Sequence, residues 1–318
     1  MNNSKRKLIV VYVMLPLLIL SFSMGAIMFF TNSNNNGSDI RSLRAFSTLS
    51  IPVSLISHDV SGELYNEMNS VKDMFVEYNQ EYGSRLGINV ATGYAATLAT
   101  MQNYISTTQR MHLSGHGTWN SAEGPKITMH NAFLTYDEVD QWNIQDGLCR
   151  FIYLSACDSM GHDGILDTDL ANTLRSRTSV EAVIGFKDIV GIFGATLLSQ
   201  SFWSFHVTYS CIGGISTDSS YTDTADRIQF KINLIEAGGS IILGVAIEIL
   251  MDCAESGVGS AFIGELLSEI TNVALMTVLV GQIQHALDSW ELIGSNVPGL
   301  YWSTGGGGGS NPPKAVID

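Results

Sequence analysis

Apolar positions along this chain gather into short solid runs separated by longer stretches with helical spacing. Ile51–Ser57 is such a run and predicts a first strand, while Gly62–Tyr82 carries Leu64, Met68, Val71 and Phe75 at helical spacing and predicts a helix that packs on a sheet. The pair repeats as Ile88–Val90 and Ala95–Ser106. Met111–Ser114, the run opening at Phe151 and Val180–Phe186 read as further buried strands, the last reached through Leu170–Ser176. Ala195–His206 and Thr222–Ala237 predict two more helices. Strands alternating with helices imply an α/β fold: a doubly wound, mostly parallel sheet with helices on both faces. Within it, Thr118–Leu148 reads as an insertion that walls a cleft, with a hairpin of Lys126–His130 and Ala132–Thr135 around Asn131 and a short helix over Tyr136–Trp142.

The two ends follow other patterns. Lys5, Arg6 and Lys7 precede Leu8–Phe30, which has no charged residue and is long enough to cross a hydrocarbon core of ~30 Å. It reads either as an uncleaved anchor with its N-terminus in the cytoplasm, or as a signal cleaved near Ser23-Met24-Gly25, and both place the rest outside the cytoplasm. Residues 31–46 form a polar linker, and the folded domain is expected over 47–238. From Gly239 to 302 the chain turns apolar. Glu248, Asp252, Glu265, Glu269 and Asn272 interrupt it, so packed helices rather than membrane spans are expected, serving as a helical subdomain, a pro-segment or an oligomer interface. Residues 303–318, with five consecutive glycines, read as a flexible tail.

Composition narrows the function. The 318 residues are 45% hydrophobic, enough for a sizeable core, and a net charge of −14 with 16 Lys and Arg argues against a nucleic-acid partner. Four cysteines without C-x-x-C spacing support neither a disulfide scaffold nor a structural zinc. Asp163, Asp167 and Asp169 fit no calcium loop and read as turn and cap residues, and His112, His116 and His162 lack an H-E-x-x-H helix. No metal or cofactor is expected.

The chemistry concentrates in Met111–Gly117, M-H-L-S-G-H-G, and Phe151–Ser159, F-I-Y-L-S-A-C-D-S. Each is a strand-like run ending in a small residue and one reactive side chain, His116 or Cys157. In an open α/β sheet, ligands sit beyond the carboxyl ends of the strands, so an imidazole and a thiol leaving neighbouring strand tips can act as base and nucleophile. Donors for the developing oxyanion would be the N–H groups of Gly117 and Cys157.

These two motifs, in this order, resemble the caspase-like cysteine peptidases, the grouping of caspases, legumain, clostripain, gingipains, separase and the CHAT domains. The wording S-G-H-G and L-S-A-C-D-S looks closest to the CHAT-like and clostripain-like members. The resemblance implies a cysteine endopeptidase in which Cys157 attacks and His116 shuttles the proton, as a thiolate–imidazolium pair, acting on a protein or peptide without a firm third residue. It also implies a specificity pocket beside the nucleophile. Asp188, after the strand that follows the Cys strand, is the best match for its floor and would favour Arg or Lys on the acyl side, while Asp158 competes for that role. Asp188 also reads as a solvated loop carboxylate or a helix cap. Clostripain-like members often carry Asp two residues before the Cys, where this chain has Ser155, which makes the CHAT-like comparison more apt. A second function class remains open: a catalytically silent scaffold docking a partner through its C-terminal helices.

Overall fold

The computed structural model describes residues 50–82, 86–161, 170–213, 216–237, 273–294 and 297, all within one compact unit spanning 49–303. Leu8–Phe30, the polar linker, Ser240–Leu250, the glycine tail and the acids between 163 and 169 lie outside the described residues. No helix among the described residues is long and apolar enough to cross a membrane.

The fold is α/β. Strands β1 (Ile51–Ser57), β2 (Leu86–Thr92), β3 (Arg110–Ser114), β7 (Phe151–Ser155), β8 (Ala182–Phe186) and β9 (Trp290–Gly294) form a six-stranded sheet in the order β2-β1-β3-β7-β8-β9. The first five are mutually parallel, and β9 runs antiparallel to β8. Central strands read as unbroken apolar runs because both faces are covered. On one face Val53, Leu55, Phe151, Ile184 and Phe186 meet helices α1 (Glu63–Tyr82), α5 (Ile192–Gly213), α6 (Thr217–Ala237) and α7 (Val273–Ser289). On the other, Ile56, Met111, Leu113, Ile152 and Leu154 meet α2 (Leu98–Thr107) and α4 (Leu170–Arg177).

Local sequence accounts for these helices. In α1 the buried Met68, Val71, Phe75 and Tyr78 recur every three or four residues. Thr97 caps α2 by accepting from the N–H of Thr100. Helix α5 is apolar all round because the sheet, α1, α6 and α7 enclose it. Gly194 lets α7 approach: a Cβ there would come within 2.7 Å of Ala286 Cβ and of Gln282 O.

Strand order reverses between β1 and β3. The chain winds from β1 through α1 to β2, then returns through α2 to β3 on the far side of β1, so the tips of β1, β3 and β7 border one crevice. The insertion that follows β3 is a small antiparallel sheet of β4 (Gly117–Asn120), β5 (Gly124–Met129) and β6 (Ala132–Thr135), then the short helix α3 (Tyr136–Asp140). Asn131 turns the expected hairpin with a φ of 57°, a left-handed conformation that Asn tolerates.

Two features depart from the sequence reading. Strand β4 was not expected, and residues 273–294, described within the apolar region expected over 239–302, join the main fold and include a strand. They supply α7 and the edge strand β9, and Lys187 N–H donates to Ser289 O at 2.9 Å while Lys187 Nζ pairs with Glu291 at 2.9 Å. Residues 290–294 are therefore built into the same sheet.

Candidate functional site

Three neighbouring strands each deliver one side chain to the crevice. Asp59 follows β1, His116 follows β3 and Cys157 follows β7. A cavity of about 400 Å³ is lined by all three together with Glu63, Gly117 and Ser155.

Beyond β7 the chain makes a tight turn that fixes Cys157. Asp158 adopts a φ of 52°, and its N–H donates to Asp188 O at 3.2 Å. Met160 N–H donates to Phe186 O, and Ser159 Oγ accepts from Phe186 N–H at 3.0 Å, so the turn is fastened to the end of β8. Cys157 is left half-buried, with Sγ 3.7 Å from the carbonyl of Val190.

Gly117 joins the two motifs. A Cβ on it would lie 1.8 Å from Cys157 O and 2.9 Å from Cys157 N, so only glycine allows these backbones to meet. His116 is exposed, its Nε2 3.5 Å from Asp59 Oδ2. Its backbone is held by Thr128 N–H, which donates to His116 O at 2.8 Å.

Electrostatics favour a protonated thiol in the free site. Burial pushes the Cys157 thiol up, and the carboxylates of Asp158 and Asp188 add to this against the hydrogen bond to Val190 O. Cys149 is no rival nucleophile: it is fully buried, donates to Phe151 O at 3.4 Å, and burial pushes its thiol up to about 12.

Of the residues singled out in the sequence, Cys157, His116, Gly117 and Ser155 come together, and Asp158 and Asp188 do not line the cavity. Asp158 is buried beneath the turn. Asp188 is exposed, and its Oδ1 accepts from Ile189 N–H at 3.2 Å, which fits the reading of it as a loop carboxylate. Sequence reasoning missed Asp59 and Glu63. The signal was there: Asp59 lies two residues past the end of a strand at the point where strand order reverses. His112 is fully buried, with no part of it exposed for a ligand. Among the described residues no three His, Cys, Asp or Glu side chains group as metal ligands.

A comparison with known protein families finds no family model that matches this chain, and a search of curated proteins finds no match.

Proposed function

We propose that this chain is a cysteine endopeptidase of the caspase-like kind, with Cys157 as nucleophile and His116 as general acid and base. The observation that carries this is the meeting of the two motifs: imidazole and thiol line one cavity, and Gly117 packs directly on the peptide of Cys157. The parallel sheet with helices on both faces is compatible with that family.

In the proposed reaction, His116 takes the thiol proton as Cys157 Sγ attacks the scissile carbonyl carbon. The N–H groups of Gly117 and Cys157 face the oxygen that becomes negative. As the C–N bond breaks, His116 returns the proton to the leaving amine, and a water molecule, deprotonated in turn by His116, hydrolyses the thioester. Asp59 supplies the acid that orients His116. The cavity wall carries Asp59 and Glu63, which favours a basic residue on the acyl side. The charge-free segment Leu8–Phe30 would tether or export the enzyme, giving it protein or peptide substrates outside the cytoplasm.

Turnover of a fluorogenic peptide library by the wild-type chain, beside Cys157→Ala, tests the reading. Cleavage that vanishes in the variant supports it. The hydrogen bond from Cys157 to Val190 O favours a second reading, a silent module in which the thiol merely packs. That module would show no hydrolysis and only sluggish alkylation of Cys157.

A further inference from the structure

Two apolar residues stand exposed beyond the tips of β1 and β2. Val60 follows Asp59 in the loop after β1 and is 63% exposed, and Tyr94, in the single helical turn Gly93–Ala95 after β2, is 85% exposed. Scattered apolar residues are ordinary on a protein surface, so exposure alone decides nothing. These two adjoin. Gly93 between β2 and Tyr94 has a φ of 53°, and a Cβ on it would lie 2.4 Å from Val60 Cγ1, so the turn is pressed directly onto Val60.

The Tyr94 ring is also held in place. It meets the His130 ring edge to face, at 79° with centroids 4.8 Å apart, and Asn131 Nδ2 donates to His130 Nε2 at 2.7 Å. His130 N–H donates to Ala96 O at 2.8 Å, which ties the hairpin of the insertion to the turn that carries Tyr94. A ring this exposed gains little from burial, yet its position is fixed from two sides.

The same hairpin reaches the cavity. Thr128, whose N–H holds His116 O, lies near the end of β5 and two residues before His130. Two residues of extended chain span about 7 Å, so β5 acts as a ruler that sets the aromatic pair at that distance from the loop of His116.

The two faces of the sheet decide what passes over this patch. Glu63, Leu64, Ile192 and Ala195 wall the cavity from α1 and α5 on one face, whereas the insertion packs on the other, where Ile127 and Leu134 join Met111 and Leu113. On the peptidase reading, an acyl-side side chain enters the cavity on the α1 face. The expelled amine takes its proton from His116, so the chain it begins departs past the imidazole and across the insertion.

We propose that Val60 and Tyr94, backed by the His130 ring, form a subsite for a large apolar side chain, leucine or phenylalanine, on the second residue of the leaving side. The inference rests on the peptidase reading and adds to it a preference beyond the scissile bond. Spacing selects the second residue: the first must place its nitrogen at His116, and the next lies about 3.4 Å further along, with its side chain on the opposite side of the extended strand and within reach of the patch.

The test uses the full wild-type chain and Tyr94→Ala on internally quenched peptides that share one acyl side and carry Gly, Leu or Phe at the second leaving-side position. A substrate whose leaving group is a bare fluorogenic amine has no residue to place there. Expected is a wild-type preference of about 10-fold in kcat/KM for Leu or Phe over Gly, falling toward equality in Tyr94→Ala, with turnover of the bare amine changed less than about two-fold. Equal rates for Gly, Leu and Phe in the wild type would overturn the subsite, as would a preference that survives in Tyr94→Ala or an equal loss on the bare amine. A change of oligomeric state in Tyr94→Ala would overturn it too, because the patch would then be covered by a second copy. Should no substrate be cleaved, anisotropy of a labelled tetrapeptide beginning Gly-Leu, added to Cys157→Ala, reads the patch without catalysis. Binding that weakens when Tyr94→Ala is added supports the patch while the peptidase reading falls, and no difference between the two proteins overturns the patch.

Discussion

Gly117 rests against the peptide of Cys157 so closely that a single methyl would collide with the Cys157 carbonyl at 1.8 Å. Contact between two strand tips is thereby made at backbone level, and the side chains of His116 and Cys157 inherit their spacing from it. Gly117→Ala forces the tips apart. Expected is a loss of about 100-fold or more in kcat/KM, the scale of losing one oxyanion donor, with the protein still folded by circular dichroism.

Asp59 and His116 predict a different signature. Because the carboxylate lies 3.5 Å from the imidazole, Asp59→Asn should lower kcat by roughly 10-fold on peptides with an uncharged acyl-side residue, with KM nearly unchanged. If only peptides with a basic acyl-side residue suffer, Asp59 serves the pocket and not the imidazole.

The thiol provides a pH test. Its pKa is raised by burial first and then by Asp158 and Asp188, so alkylation of Cys157 by iodoacetamide should be slow at neutral pH and accelerate above the ordinary thiol range. Asp188→Asn removes one negative neighbour, lowers the thiol pKa and moves the rate profile toward lower pH. An unmoved profile would remove Asp188 from the electrostatics of the site.

Cys149 predicts alkaline lability. Its folded pKa of about 12 lies above the unfolded value near 9, so between these values the unfolded chain binds fewer protons and stability falls as pH rises. The loss approaches about 4 kcal/mol once both forms are deprotonated, and Cys149→Ala should flatten the decline in urea midpoint across that window.

Gly194 tests the seat of α7. Adding a Cβ 2.7 Å from Ala286 Cβ and from Gln282 O overpacks the α5–α7 crossing, and Gly194→Ala is expected to cost about 1–3 kcal/mol, read as a lower thermal midpoint.

Much of this architecture was legible because buried parallel strands advertise themselves as apolar runs, and two of those runs ended in unusual residues, His116 and Cys157. Asp59 and Glu63 were not legible in the same way. An acid after a strand or at a helix start is ordinary turn and cap chemistry, and only the return of the chain around β1 turns it toward the crevice. Asp188 was singled out because the resemblance puts a pocket residue just after the strand that follows the Cys strand, yet in the fold its side chain is exposed and bonds to Ile189 N–H. Strand β9 escaped notice because Trp290 follows Ser289 of α7 with no intervening breaker, and its half-exposed edge position leaves a blurred pattern.

Fastening the loop after β8 to Ser289 and Glu291 also sets a timetable for synthesis. Cys157 leaves the ribosome more than a hundred residues before β9, and until that strand arrives β8 is an open edge and the loop that carries Val190 lacks its clamp. The loop that carries Val190 is therefore clamped last, so a chain broken off before residue 290 carries both reactive side chains but leaves β8 unpaired on one edge.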